Sequence, residues 1–137
     1  MAHRKEWKKN QITRKALNTE IYAFSENALA RYRREPLHDI YNDARLITRE
    51  LVDNIYRYNT ARTIVVVMDI TEAHMLTIQI FHDGNEFDPF NPANKCHLLN
   101  ARNQEYKFNT TFVPNQFGNY QLTLTLSLSP ILTGAQS

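Results

Sequence analysis

Within residues 49–58, RELVDNIYRY, Glu50, Asp53, Asn54 and Arg57 are the side chains able to carry chemistry. A glutamate can serve as a general base, an asparagine carbonyl as a hard oxygen ligand, and an arginine as a forked phosphate partner. Those three types on one surface suit a nucleotide carried with magnesium. A competing reading is local: Glu50–Arg57 or Asp53–Arg57 pairing on a helix surface contributes only about 0.2–0.5 kcal/mol.

Whether they share a surface depends on the helix beneath them. Ile40, Ala44, Ile47, Leu51, Ile55 and Tyr58 recur at steps of four, three, four, four and three. That period predicts a helix from Leu37 or His38 to Asn59, with those residues facing the core. With about 100° per residue and Glu50 at zero, Asn54 falls near roughly 40°, Arg57 near 340° and Asp53 near 300°. The apolar centre falls near about 100°, while Arg45 and Arg49 fall near roughly 220° and 260°, out in solvent. Glu50, Asn54 and Arg57 therefore form a polar stripe at the margin of the buried face. Partial desolvation there strengthens charge interactions.

The other elements follow from periodicity. Leu17, Ile21, Phe24, Ala28 and Leu29 predict a helix over 13–34, and Pro36 marks the break after it. TIVVVMDI (63–70) is a continuous β-branched run, as in a central strand. MLTIQIF (75–81), EYKFNTTFV (105–113) and NYQLTLTLSL (119–128) alternate apolar and polar residues. Such alternation predicts strands buried on one face only. The short TEAH and PNQFG segments predict antiparallel hairpins. A further short helix fits from Pro92 to Asn103. The expected fold is α+β: a two-layer α/β sandwich, its mostly antiparallel sheet covered on one face by helices.

The chain of 137 residues suits one domain with a real core. We expect a basic segment over 1–12, the domain over 13–128, and a frayed, disordered tail over 129–137. Residues 1–35 hold nine of the sixteen Lys and Arg but only four acids. HRKEWKK reads as a solvated helix start or tail rather than a phosphate-binding arm. A net charge of +2 and no base-reading motif disfavour nucleic acid as a partner. The longest apolar run, IVVVM, is too short for a bilayer, and the N-terminus has no apolar signal region. The lone Cys96 excludes an internal disulfide and reads as a small, half-buried apolar residue rather than a nucleophile. The expected location is cytoplasmic. The five histidines show no metal-ligand spacing.

RELVDNIYRYN resembles the N-box of the GHKL ATPase superfamily, which includes gyrase, chaperone ATPases, sensor histidine kinases and mismatch-repair ATPases. Glu50, Asn54, Arg57 and Tyr58 occupy its pattern of Glu, Asn, a basic residue, and His or Tyr. Downstream, IFHDGNEFDPF resembles the acidic, glycine-containing box of the short anti-sigma-factor serine kinases. EYKFNTTFVPNQFGNYQLTLTLSL resembles their closing hairpin. The likeness covers roughly residues 40–128 and implies a Bergerat-like sandwich that binds ATP and magnesium. It implies Glu50 as the base, Asn54 as the magnesium ligand, Arg57 near phosphate, and Tyr58 lining the pocket. Gly84 would let the backbone approach the base, and His82 or Asp83 would stand at the adenine-binding position. The implied partner is a regulatory protein of sigma-factor or antagonist type, phosphorylated or sequestered in bacterial regulation. A homodimer is compatible with the same likeness.

The departures from that pattern are specific. Aligned on Phe87-Asp88-Pro89, the adenine-binding carboxylate becomes His82, and a glycine becomes Glu86. No Gly-x-Gly lies between Pro89 and Tyr106. Family members wrap the phosphates with backbone donors from such a segment. The alternative expectation is therefore a pseudo-ATPase: the same fold acting as a protein-interaction or regulatory module without nucleotide binding.

Overall fold

The computed structural model describes residues 2–33, 36–71, 74–114 and 120–127. The order is strand β1 (His3–Lys8), helix α1 (Arg14–Leu29), helix α2 (His38–Tyr58), strands β2 (Thr63–Ile70) and β3 (Met75–His82), helix α3 (His97–Tyr106), and strands β4 (Asn109–Pro114) and β5 (Tyr120–Ser127). The strands form one sheet in the order β1-β2-β3-β5-β4, with every neighbouring pair antiparallel. The two-layer α/β sandwich expected from periodicity is the observed architecture.

Alternation decides which face is covered. Ile64, Val66 and Met68 of β2, Leu76, Ile78 and Ile80 of β3, and Leu122 and Leu124 of β5 are buried on one face. Against them lie Leu17 and Ile21 of α1 and Ile40, Ala44, Ile47, Leu51 and Ile55 of α2. Burying a Leu, Ile or Val side chain fully contributes about 1.5–3 kcal/mol, so this layer dominates the stability.

The basic N-terminal segment is not a tail or a helix start. It is edge strand β1, paired residue for residue with β2. Its anchor is Trp7, buried beside Ile64 in the register, edge-on to Phe24 and donating its indole N–H to Glu20 Oε1 at 3.2 Å. One tryptophan gives no sequence period, so the ladder to β2 supplies what the pattern lacked. The charged residues around it suit an edge strand, where they deter further pairing.

Boundaries also differ near α3. Pro92–Asn94 forms a separate 3-10 turn, capped by the Asn91 side chain, and Lys95 in the left-handed region (φ 55°) breaks the chain before α3. At the other end α3 runs to Tyr106, where Lys107 (φ 56°) terminates it, so β4 begins only at Asn109. Two side chains of α2 depart from the helical wheel. Tyr58, counted with the core, is 51% exposed. Arg45, placed in solvent, is buried, because α1 packs along that flank and lays Tyr22 under the guanidinium at 3.7 Å. The expected tail over 129–137 and residues 115–119 of the closing hairpin lie outside the described residues.

Candidate functional site

Helix α3 begins without a side-chain cap of its own, leaving its first N–H groups to find partners elsewhere. Glu50 of α2 provides them. Its two oxygens accept from Leu98 N at 3.1 and 3.0 Å, and Oε1 also accepts from Leu99 N at 3.1 Å. A carboxylate there also meets the positive end of the helix dipole. One turn further along α2, buried Asn54 donates through Nδ2 to Asn94 O at 2.9 Å and Lys95 O at 3.2 Å, with Cys96 Sγ at 3.5 Å. Carbonyl oxygens only accept, so they fix the amide with its nitrogen toward the loop.

Arg57 lies 3.8 Å from Asp53 Oδ2, and its guanidinium sits 4.6 Å from the Tyr58 ring centre. Lys95 Nζ is 5.6 Å from the same ring. The local Asp53–Arg57 pairing is therefore present. A stronger partner reaches Asp53 from α1: Arg14 donates to it at 2.8 and 3.1 Å, and Asn18 Nδ2 at 3.2 Å. Burial opposes ionisation of Asp53, but the Arg14 and Asn18 hydrogen bonds and the Arg14 and Arg57 charges outweigh it and hold its pKa below the ordinary value. Nothing in the sequence pairs residues 14 and 53.

The second group of expected site residues closes on a different neighbour. Asp83 Oδ1 accepts from Arg62 N at 2.7 Å and Thr63 N at 3.0 Å. Burial raises the Asp83 pKa, yet those backbone donors lower it further, and the result is below the ordinary value. His82 is buried, and its Nδ1 accepts from Gly84 N at 3.3 Å. Desolvation holds its pKa below the usual range, with the Asp83 charge pulling the other way. Gly84 stands against Asn59 and Ala61, where a side chain would overlap the Asn59 oxygen and the Ala61 backbone. Asn59 Nδ2 donating to Asn85 O and Asn85 N donating to Thr60 Oγ1 complete this clasp between 59–63 and 82–85.

Glu50 and Asn54 thus come together over the 94–99 segment, with Arg57 and Tyr58 beside Lys95. Asp83 and Gly84 fasten the end of β3 to the start of β2. The cleft that Glu50 and Asn54 line has a volume of about 400 Å³, and its other walls include Arg14 and Asn18 of α1, Arg49, and Lys95. Gly84 is not among its lining residues. Cys96 is buried, and desolvation pushes its thiol up to about 11, which keeps it protonated and unreactive near neutrality. Among the described residues no three His, Cys, Asp or Glu side chains cluster as metal ligands. Among them, too, no helix is long and apolar enough to cross a membrane.

No family model and no curated protein sequence matches the chain. Solved structures do match. One is the histidine kinase domain of the blue-light-activated histidine kinase from Erythrobacter litoralis, with a TM-score of 0.56 at 12% identity, covering 85% of this chain. The fold is that of a histidine kinase domain. A structure of the Erythrobacter litoralis blue-light-activated histidine kinase itself matches with a TM-score of 0.54 at 10% identity over 69% of this chain. This chain spans 63% of the first structure and 32% of the second. At such identities the likeness is one of fold.

Proposed function

We propose that the chain is a regulatory, protein-binding module on a histidine-kinase-like fold, with its nucleotide seat closed by its own 88–99 segment. One observation carries this reading: both oxygens of Glu50 accept from the first N–H groups of α3, where a general base would have to be free. Asn54 donates through Nδ2 to the Asn94 and Lys95 carbonyls and so holds that segment against α2. The loop between Pro89 and Tyr106 contains no glycine with which to wrap phosphates by its backbone. Aligned on Phe87-Asp88-Pro89, His82 and Glu86 stand where the resemblance calls for an adenine-binding carboxylate and a glycine, and Asp83, which takes the first place in the alignment shifted by one, spends its Oδ1 on the Arg62 and Thr63 N–H groups. These residues do not fit Mg-ATP as arranged. The partner, on the same resemblance, is a bacterial regulatory protein of sigma-factor or antagonist type, held by sequestration in the cytoplasm.

A second reading keeps ATP and magnesium, with the chain phosphorylating that partner on serine. It is favoured by the cleft itself, where Asn54 and Glu50 stand near Arg14, Arg49 and Lys95, cations suited to a polyphosphate. Thermal unfolding with Mg-ATP separates the two. A nucleotide at one hundred times its dissociation constant stabilises a protein by about 2.7 kcal/mol. We expect no shift at millimolar Mg-ATP. A clear shift, lost in Asn54→Ala, would overturn the closed seat and establish the nucleotide binding that the second reading requires.

A further inference from the structure

Three side chains of α2 hold α3, and they lie on one stripe. Glu50 caps its start, and Asn54 holds the segment before it. At the far end, Asp43 Oδ2 accepts from the Tyr106 hydroxyl at 2.6 Å, and Arg102 Nε lies 3.3 Å from Asp43 Oδ1. With about 100° per residue and Glu50 at zero, Asp43 falls near roughly 20° and Asn54 near about 40°. Desolvation and the Asp43 carboxylate push the Tyr106 pKa above its ordinary value, so the phenol keeps the proton it donates.

Apolar burial adds little to this hold. Leu99 is the one buried side chain of α3 itself, with Leu98 and Tyr106 half-buried beside it. Helix α2, by contrast, buries Ile40, Ala44, Ile47, Leu51 and Ile55. An element with few buried apolar groups opens at a lower free energy than the core does. The chain is also bent at both ends of α3. Lys95 (φ 55°) and Lys107 (φ 56°) stand in the left-handed region, which stores strain in any residue but glycine.

We propose that α3 is a latched flap, which swings away from α2 as a unit between Lys95 and Lys107 while α1, α2 and the sheet stay folded. Asp43, Glu50 and Asn54 are its latch. The inference rests on the reading of a seat closed by the 88–99 segment and names the motion that uncovers it. Release of α3 frees Glu50 and Asn54 together, so access to the cleft follows the latch. A ligand that binds the open form better than the closed one shifts the population toward it.

Cys96, the chain's one cysteine, is buried immediately before α3, so its alkylation reports the opening. The test is the rate at which N-ethylmaleimide labels the full chain, from zero urea to the foot of the unfolding transition. Tyr106→Phe should speed labelling about threefold or more, and Asp43→Ala about tenfold or more, with circular dichroism unchanged. Asp39→Ala, the same charge change one turn earlier on α2, should label at the wild-type rate. The rates should stay nearly flat in low urea, because a flap exposes little new surface. Should Asp43→Ala unfold the chain, Tyr106→Phe decides alone, since its ring keeps the packing on Phe108. Breathing of the 94–96 loop by itself is blind to a substitution at the far end of α3, so a wild-type rate in Tyr106→Phe would overturn the inference. A rate that follows the global unfolding slope in urea would overturn it too. The Mg-ATP melt reports separately. A chain that takes up ATP and labels faster in the latch variants contradicts the closed seat and keeps the flap. A chain that takes up none and labels equally in every variant keeps the closed seat and loses the flap.

Discussion

Asn54 Nδ2 lies 2.9 Å from the carbonyl oxygen of Asn94, joining two residues forty positions apart. This one bond places the segment before α3 over the polar stripe of α2. Asn54 is buried but Asn94 is only half-buried and its carbonyl also faces the Cys96 thiol at 3.6 Å, so removing the bond costs about 0.5–1.5 kcal/mol, the net worth of an ordinary hydrogen bond. Asn54→Ala should lose that much stability in urea unfolding. Residues 88–96 should become more sensitive to limited proteolysis. An unchanged midpoint would show that the loop holds itself in place without Asn54.

Glu50 acts on α3 from a distance of 48 positions, as a cap borrowed from another helix. Glu50→Gln keeps one acceptor oxygen but removes the negative charge from the helix start. We expect a loss of about 0.5–2 kcal/mol, the range for losing an N-terminal cap. The sharper readout is hydrogen exchange. The Leu98 and Leu99 amides should exchange faster in the variant, while the α2 amides stay protected. Equal protection at Leu98 and Leu99 would remove the capping role.

Gly84 closes the clasp between 59–63 and 82–85 by having no side chain. A Cβ there would overlap the Asn59 side-chain oxygen and the Ala61 N, and reach 2.8 Å from Ala61 Cα. The obstruction is partly backbone, which cannot rotate away. Gly84→Ala should therefore destabilise by about 1–3 kcal/mol, as overpacking does. Removing the side-chain part with Asn59→Gly should not restore it, because the Ala61 backbone remains. Full recovery in that double variant would place the conflict at the asparagine alone.

How much of this was legible follows from where each signal is written. The core stripe of α2 and the alternation in β3 and β5 are local patterns, and they sufficed for the sandwich. Edge strand β1 left no period, because a single buried side chain, Trp7, holds it. Arg45 was misplaced because a helical wheel knows one buried side, whereas α2 is also flanked by α1. The stripe of Glu50, Asn54 and Arg57 was visible, but not its partners. Leu98, Asn94 and Arg14 lie far away in sequence, and backbone N–H and C=O groups, the chief partners here, have no letter in it.

The buried His82 makes the fold sensitive to mild acid. Desolvation depresses its pKa below the ordinary 6.5, so in the folded chain it stays neutral where the unfolded chain binds a proton. In that window the unfolded state holds more protons, so stability falls as pH falls, by at most about 1.4 kcal/mol per pH unit for one group. The fall begins near 6.5 and levels off below the folded pKa. Asp53 and Asp83, also depressed, behave differently in range. Their contribution is complete above the ordinary aspartate value of 3.8 and is lost only as pH falls through their folded values. The two windows can therefore be separated. Urea unfolding of the wild type should show a stability loss between about pH 7 and pH 5. His82→Asn keeps an acceptor for the Gly84 N–H but cannot titrate, and its stability should be flat across that interval. A parallel slope in the variant would assign the proton uptake to another group.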